Sequence, residues 1–178
     1  GPGLVHAANS AGVLGIPEAW LDAVRPGLAL YGVPPSAESG ATGLSPAMSV
    51  ETEVLSVRRV PAGTPLGYGG RFVTGREATI AILPIGYSDG YRRNFSGKVE
   101  VLVRGRRAPV VGAVSMDVTL VDATEMGAER GDAVVCLGTQ GNLTVSAWDL
   151  ARAAQTIPYE ILCGFGPRVA REHVEAAA

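Results

Sequence analysis

Apolar and polar positions follow one rhythm over the first 32 residues and another beyond residue 46. Leu4–His6 is a short apolar strand that ends at the polar turn Asn9-Ser10. Pro17 then opens a helix with Trp20, Leu21 and Val24 on one face. After Arg25-Pro26-Gly27, Leu28–Tyr31 reads as a short buried strand. Strand, helix and strand in that order are the unit of a parallel sheet or α/β barrel, and one such unit cannot stand alone. Residues 33–46 carry three prolines among small polar residues and form the expected linker.

Beyond the linker the period is two. Met48–Val60 alternates through Val50, Thr52, Val54 and Ser56, which predicts one long strand with a solvated face. Ala78–Ile85 is apolar almost throughout and suits a strand buried on both sides. Val99–Val103 and Ala108–Val114 flank Arg104-Gly105-Arg106-Arg107 as a hairpin. Asp117–Val121 and Ala133–Leu137 are further strands, and Ile157–Cys163 and Val169–Val174 close the series. One helix is expected here, Trp148–Ala154, with Ser146 as its cap and Asp149 in the capping-box position. Many short strands with glycine-rich turns and a single helix predict a closed, mainly β domain.

Composition narrows the function. The chain has 178 residues, 47% apolar and 18% charged, with a formal net charge of −2, so a packed core is expected. Its arginines are scattered, which recommends neither nucleic acid nor an anionic membrane as partner. No run of apolar residues is long enough to span a bilayer, and no charged-then-apolar leader opens the chain. Gly1-Pro2-Gly3 leading straight into a strand fits the interior of a longer protein. Cys136 and Cys163 lack metal-ligand spacing, and with His6 and His173 the only histidines no metal site is expected. Both cysteines read as buried free thiols in a reducing cytoplasm. The chain holds 14 arginines but one lysine, Lys98. Chemistry that needs a lysine must use that one or find it elsewhere.

Polar residues framed by glycine are the candidate sites. Asn9-Ser10-Ala11-Gly12 and Arg25-Pro26-Gly27-Leu28 sit in turns where backbone N–H groups and the Ser10 hydroxyl could approach an anion; taken alone, both are equally ordinary turns. Tyr68 lies in Gly67-Tyr68-Gly69-Gly70 and Tyr87 in Gly86-Tyr87-Ser88-Asp89-Gly90, contexts that allow another body to approach, or simply let the rings pack on turns. Asp117 interrupts an apolar stretch and must be paired or lie at an edge. Arg92-Arg93 and Lys98 read as solvated cations.

Six segments taken together strongly resemble the C-terminal part of the alanine racemases. They are His6-Ala7-Ala8-Asn9-Ser10, Arg25-Pro26-Gly27-Leu28-Ala29-Leu30-Tyr31-Gly32, Gly67-Tyr68-Gly69, Pro84-Ile85-Gly86-Tyr87-Ser88-Asp89-Gly90, Ser115-Met116-Asp117 and Thr156-Ile157-Pro158-Tyr159-Glu160. The resemblance implies a mainly β fold: residues 1–40 as the last β/α elements and linker of a pyridoxal-phosphate-binding α/β barrel, and residues 41–178 as a Greek-key-like β-barrel domain. It also implies an isomerase that interconverts L- and D-alanine for cell-wall precursor supply through a two-base mechanism on pyridoxal 5'-phosphate. Asn9, Ser10, Gly27, Leu28 and Tyr159 match positions around the cofactor phosphate, and Arg25 the arginine facing the pyridine nitrogen. Tyr68 matches the catalytic tyrosine, which reaches the active site of a second subunit in a head-to-tail homodimer. Tyr87, Met116 and Asp117 match the substrate site and Arg93 its entrance.

Two departures qualify this expectation. The run Gly112-Ala113-Val114-Ser115 lacks the arginine and cysteine often found there, which makes the entrance less cationic. The family's Schiff-base lysine lies far upstream, and Lys98 does not match it. The chain is therefore expected to be inactive without the N-terminal barrel half. The alternatives are an isolated β domain that dimerises or binds ligands without catalysis, and part of a racemase of broader specificity.

Overall fold

A computed structural model describes residues 3–38 and 43–174, and the chain divides into two compact units, Gly1–Val50 and Glu51–Ala178. The domain boundary expected at residues 40–41 lies outside the described residues, as do Gly1 and Pro2.

In the first unit, β1 (His6–Asn9) runs parallel to β2 (Ala23–Arg25), with α1 (Ser10–Gly15) between them. The helix starts where Asn9 caps it, its Oδ1 accepting from the N–H groups of Ala11 and Gly12 at 3.1 Å. The helix expected from Pro17 is only a 3-10 turn, Pro17–Ala19. Leu21 adopts φ 50°, which a helix cannot continue through, and Asp22 ties back to Val5 through both its N–H and its carboxylate. Leu28–Tyr31, expected as a strand, is also a 3-10 turn; only Leu28 is buried in it, and Leu30 is 69% exposed. Leu4, Leu14, Ile16, Trp20 and Val24 are exposed as well, so this unit's apolar residues do not form a closed core.

The second unit is mainly β. Its strands are β3 (Val50–Glu53), β4 (Ser56–Val60), β5 (Pro65–Leu66), β6 (Phe72–Val73), β7 (Ala78–Leu83), β8 (Glu100–Val103), β9 (Arg106–Val111), β10 (Thr119–Asp122), β11 (Ala133–Gln140) and β12 (Leu143–Val145). The main sheet runs β12-β11-β8-β9-β10-β7-β4, with β3 also on β11, while β5 and β6 pair separately. The order β11-β8-β9-β10, all antiparallel, is a Greek key. The strand expected over Met48–Val60 is broken at Val54-Leu55: β3 pairs with β11 and β4 with β7. One nearly continuous segment meets two strands separated by three others along the sheet, so the sheet curls into a half-barrel. Val54 sits fully buried at that corner.

The predicted hairpin is β8–β9, turning at Arg104 (φ 50°) and Gly105 (φ 69°), as the twist of a two-residue turn requires. β7 has the burial pattern of a central strand, and Val101, Leu102 and Val103 of β8 and Val121 of β10 are fully buried. Tyr91 and Phe95 meet edge to face at 5.0 Å in the same interior. Two helices follow the sheet. α2 (Ala147–Ala154) has the predicted capping box, Ser146 and Asp149 each accepting from the other's backbone N–H. α3 (Pro158–Leu162) replaces the strand expected over Ile157–Cys163: Pro158 presets the first helical φ, and Pro158, Ile161 and Leu162 bury one helical face. Val169–Val174 forms no strand. Cys136 is buried as expected, but Cys163 is exposed at the end of α3.

Candidate functional site

The first unit builds a small donor cluster around Ser10. Its side chain is 1% exposed, and its Oγ accepts from the N–H groups of Gly27 (3.0 Å) and Ala29 (3.1 Å). Its own O–H hydrogen finds no acceptor among the described residues, so it is free to be donated. The strand pairing places Asn9 opposite Arg25, whose guanidinium donates to the Ala7 carbonyl at 3.4 Å. Four of the five first-unit site residues thus converge: Asn9 caps the helix that Ser10 begins, and Ser10 receives the N–H of Gly27 beside buried Leu28. Arg25 lies one strand across. A buried hydroxyl with its hydrogen unspent, the Leu28 amide and an adjacent guanidinium form an arrangement suited to an anion.

In the second unit Tyr68 opens a 3-10 turn, Tyr68–Gly70, between β5 and β6. Gly67 approaches Gly112-Ala113 so closely, at φ 71°, that a Cβ there would meet the Ala113 nitrogen at 2.9 Å. That contact fixes the base of the turn while the Tyr68 ring stays 75% exposed. Tyr68 and Ser115 line a cavity of about 290 Å³ with Gly67, Ala113 and Val118. Through Ala113 it adjoins a larger one, of about 500 Å³, where Arg71, Arg93 and Lys98 stand without an acidic partner among the described residues.

Tyr87, Met116 and Asp117 lie on two loops in direct contact. The Tyr87 N–H donates to the Ser115 carbonyl and the Ser88 N–H to the Met116 carbonyl, both at 3.0 Å. The Ser88 hydroxyl is 2.7 Å from the Met116 carbonyl and 3.0 Å from Asp117 Oδ1. Asp89 is buried, and its Oδ2 accepts the Gly86 N–H at 2.9 Å. Arg168 then spans both loops, Nε to Asp89 at 3.0 Å and Nη2 to Asp117 at 2.7 Å. The hydrogen bond to Asp89 is the main cause that holds the Arg168 proton still more firmly than usual. Asp117 is thus paired, as an Asp in an apolar stretch must be.

Tyr159 sits in the first turn of α3, its ring partly exposed. Its neighbour Glu160 accepts from the Thr156 hydroxyl and, at 3.2 Å, from Arg92. Those two bonds, Thr156 first, hold its carboxyl below the usual range. Arg92 also donates to the Glu160 carbonyl, which anchors the Tyr159 helix to the loop that carries Arg93. Arg93 itself is exposed at the edge of the larger cavity.

Sequence reasoning passed over Ser88, Asp89, Arg92 and Arg168. Two carboxylates in glycine-framed loops signal a missing cation, but their arginine lies 79 and 51 residues away. Among the described residues no group of His, Cys, Asp and Glu could hold a metal ion, and no helix is long and apolar enough to cross a membrane.

Residues 47–173 match the family model for the alanine racemase C-terminal domain, and residues 1–35 that for the alanine racemase N-terminal domain. The alanine racemase of Thermodesulfovibrio yellowstonii is 48% identical over 172 residues, 96% of this chain and 46% of that protein. The crystal structure of alanine racemase from the D-cycloserine producer Streptomyces lavendulae superimposes with a TM-score of 0.93 at 43% identity, over 99% of this chain and 47% of that one. That of Bartonella henselae, with covalently bound pyridoxal phosphate, gives 0.85 at 38% identity, over 94% and 46%. The chain spans just under half the length of these relatives.

Proposed function

Because this chain belongs to the alanine racemase family, we propose that it is the C-terminal part of a pyridoxal-phosphate enzyme that interconverts L- and D-alanine. The observation that carries the reading is the exposed Tyr68 ring on a turn locked against Gly112-Ala113. An aromatic ring three-quarters exposed on a rigid turn contributes little to this fold and is available to another body.

The residues present fit the cofactor. Ser10 has an unspent O–H, held in place by the Gly27 N–H, and the Leu28 amide lies beside it at the start of a turn, a donor set suited to a phosphate. Asn9 fixes the helix on which Ser10 stands, and by the family match Tyr159 would supply a further hydroxyl. Arg25 would serve the pyridine nitrogen; a guanidinium donates hydrogen bonds and accepts no proton, so it would leave that nitrogen unprotonated. When bound, pyridoxal phosphate delocalises the electron pair left on Cα as its proton departs.

Tyr68 carries the Cα proton on one face through its phenolic oxygen. Tyr87, Met116 and Asp117 bind the substrate end, and Arg93 stands at the entrance with Arg71 and Lys98. The second base is a lysine outside these 178 residues, because Lys98 is exposed beside Gly97 among surface cations. The chain therefore needs its N-terminal barrel half, which would also cover Leu4, Leu14, Ile16, Trp20 and Val24. Residues 1–40 close that barrel and lead out of it, and residues 41–178 are the C-terminal β domain. Tyr68 serves a second subunit of a head-to-tail homodimer in the cytoplasm, and the D-alanine goes to cell-wall precursors.

Joined to the N-terminal half and given pyridoxal phosphate, the protein should form D-alanine from L-alanine, and the 178 residues alone should form none. D-alanine from the 178 residues alone would remove the need for an upstream lysine. None from the joined enzyme would overturn the racemase reading.

A further inference from the structure

We propose that Arg168 is a positioning residue that sets the substrate-binding loops through two carboxylates at once. This rests on the reading above, in which Tyr87, Met116 and Asp117 line the substrate site. Neither loop is held by regular secondary structure: residues 84–91 leave the end of β7, and residues 112–118 connect β9 to β10. Each offers one carboxylate to the same guanidinium, Asp89 to Nε at 3.0 Å and Asp117 to Nη2 at 2.7 Å.

The two carboxylates do different work. Asp89 is buried and its other oxygen takes the Gly86 N–H, so that end is fixed to the backbone just before Tyr87. Asp117 is half exposed and, besides Arg168, contacts only the Ser88 hydroxyl among the described residues. Without Arg168, the Asp117 side chain would keep one shared hydroxyl contact and swing into solvent. The Met116 carbonyl, which takes the Ser88 hydroxyl and N–H, would loosen with it. Arg168 thus turns an anchored carboxylate into a support for a free one. Lysine cannot replace this function in full, because an ammonium is a point charge, whereas the guanidinium presents separate donors in a fixed fork.

Arg168 is 57% exposed and leaves no core cavity when shortened, so its loss should act locally. The test uses the complete, cofactor-loaded enzyme as wild type, Arg168→Met and Arg168→Lys. In Arg168→Met, KM for alanine should rise about tenfold with kcat within about twofold, and Arg168→Lys should fall between. Amide exchange at Tyr87 and Ser88 should quicken about tenfold, while β7 and β10 stay as protected as in wild type. Unchanged KM in Arg168→Met, or a lower kcat that only tracks loss of folded protein, would overturn the proposal. A wild-type enzyme without racemase activity, combined with quickened exchange in Arg168→Met, would overturn the racemase reading while upholding the tie between the loops.

Discussion

Replacing Gly86 by alanine should damage this protein far more than the same change at Gly97 or Gly75, and the structure gives the order. A Cβ on Gly86 would lie 2.3 Å from the Met116 carbonyl oxygen and 2.4 Å from that of Ser115. Both are backbone atoms, so no side chain can rotate away. Gly86 cannot retreat either: its N–H is held by Asp89, and its carbonyl accepts from Asp89 and Tyr91. The two loops must separate, an overpacking cost of about 1–3 kcal/mol or more. At roughly 2–4 °C per kcal/mol for a chain this size, the melting temperature should fall by roughly 2–12 °C. Gly97 has open space at its Cβ position but φ +67°, so Gly97→Ala should cost only about 1–2 kcal/mol of backbone strain. Gly75 has open space and no positive φ, so Gly75→Ala should be neutral or stabilising by up to about 1 kcal/mol. Thermal unfolding followed by circular dichroism should rank Gly75→Ala above Gly97→Ala above Gly86→Ala. A Gly86→Ala protein that melts within about one degree of Gly75→Ala would refute the close approach of these loops.

Tyr91 is fully buried with no hydrogen-bond partner for its hydroxyl among the described residues, and burial pushes its ionisation well above the usual range. Tyr91→Phe should therefore raise stability by about 1 kcal/mol in a denaturant titration, and a comparable loss would show that the hydroxyl is satisfied. Cys163 should react with a thiol reagent in the folded chain, whereas Cys136, buried and pushed up to about 12, should react only after unfolding; mass spectrometry of the labelled peptides distinguishes them. The Asp132 carboxyl is held below its ordinary value first by the Glu129 N–H and then by Arg104. A depressed folded pKa gives stability that is present above the unfolded value of about 3.9 and is lost as pH falls through the folded value. The advantage of wild type over Asp132→Asn in chemical denaturation should be full near pH 6 and shrink below about pH 4; an advantage independent of pH would contradict the pairing.

Legibility followed the range of the interactions. The β8–β9 hairpin and the capping box of α2 depend on residues a few positions apart, and both were readable from turn and cap chemistry. The errors fell where distant contacts or one backbone angle decided the outcome. Trp20, Leu21 and Val24 have helical spacing, yet φ 50° at Leu21 ends the turn and Val24 joins a strand beside β1. Ile157–Cys163 has a strand's composition, but Pro158 starts a helix that buries Ile161 and Leu162. The break at Val54 follows from β3 and β4 pairing with different strands, which local alternation cannot reveal. For the site, glycine framing marked Tyr68 and Tyr87 and an apolar context marked Asp117. Arg168 stayed hidden because nothing near residue 168 signals two carboxylates so far away in sequence.

The most direct test of Tyr68 as one of two bases is exchange of Cα hydrogen with solvent, measured separately for L- and D-alanine deuterated at Cα. The complete enzyme should be compared with Tyr68→Phe. Racemisation should fall by about 10²–10⁴ in both directions alike, because the two enantiomers have equal free energy. Deuterium loss should persist from the enantiomer served by the lysine and fail from the one served by Tyr68. Loss of exchange from both enantiomers to the same degree, or from neither, would contradict the assignment of one face to Tyr68.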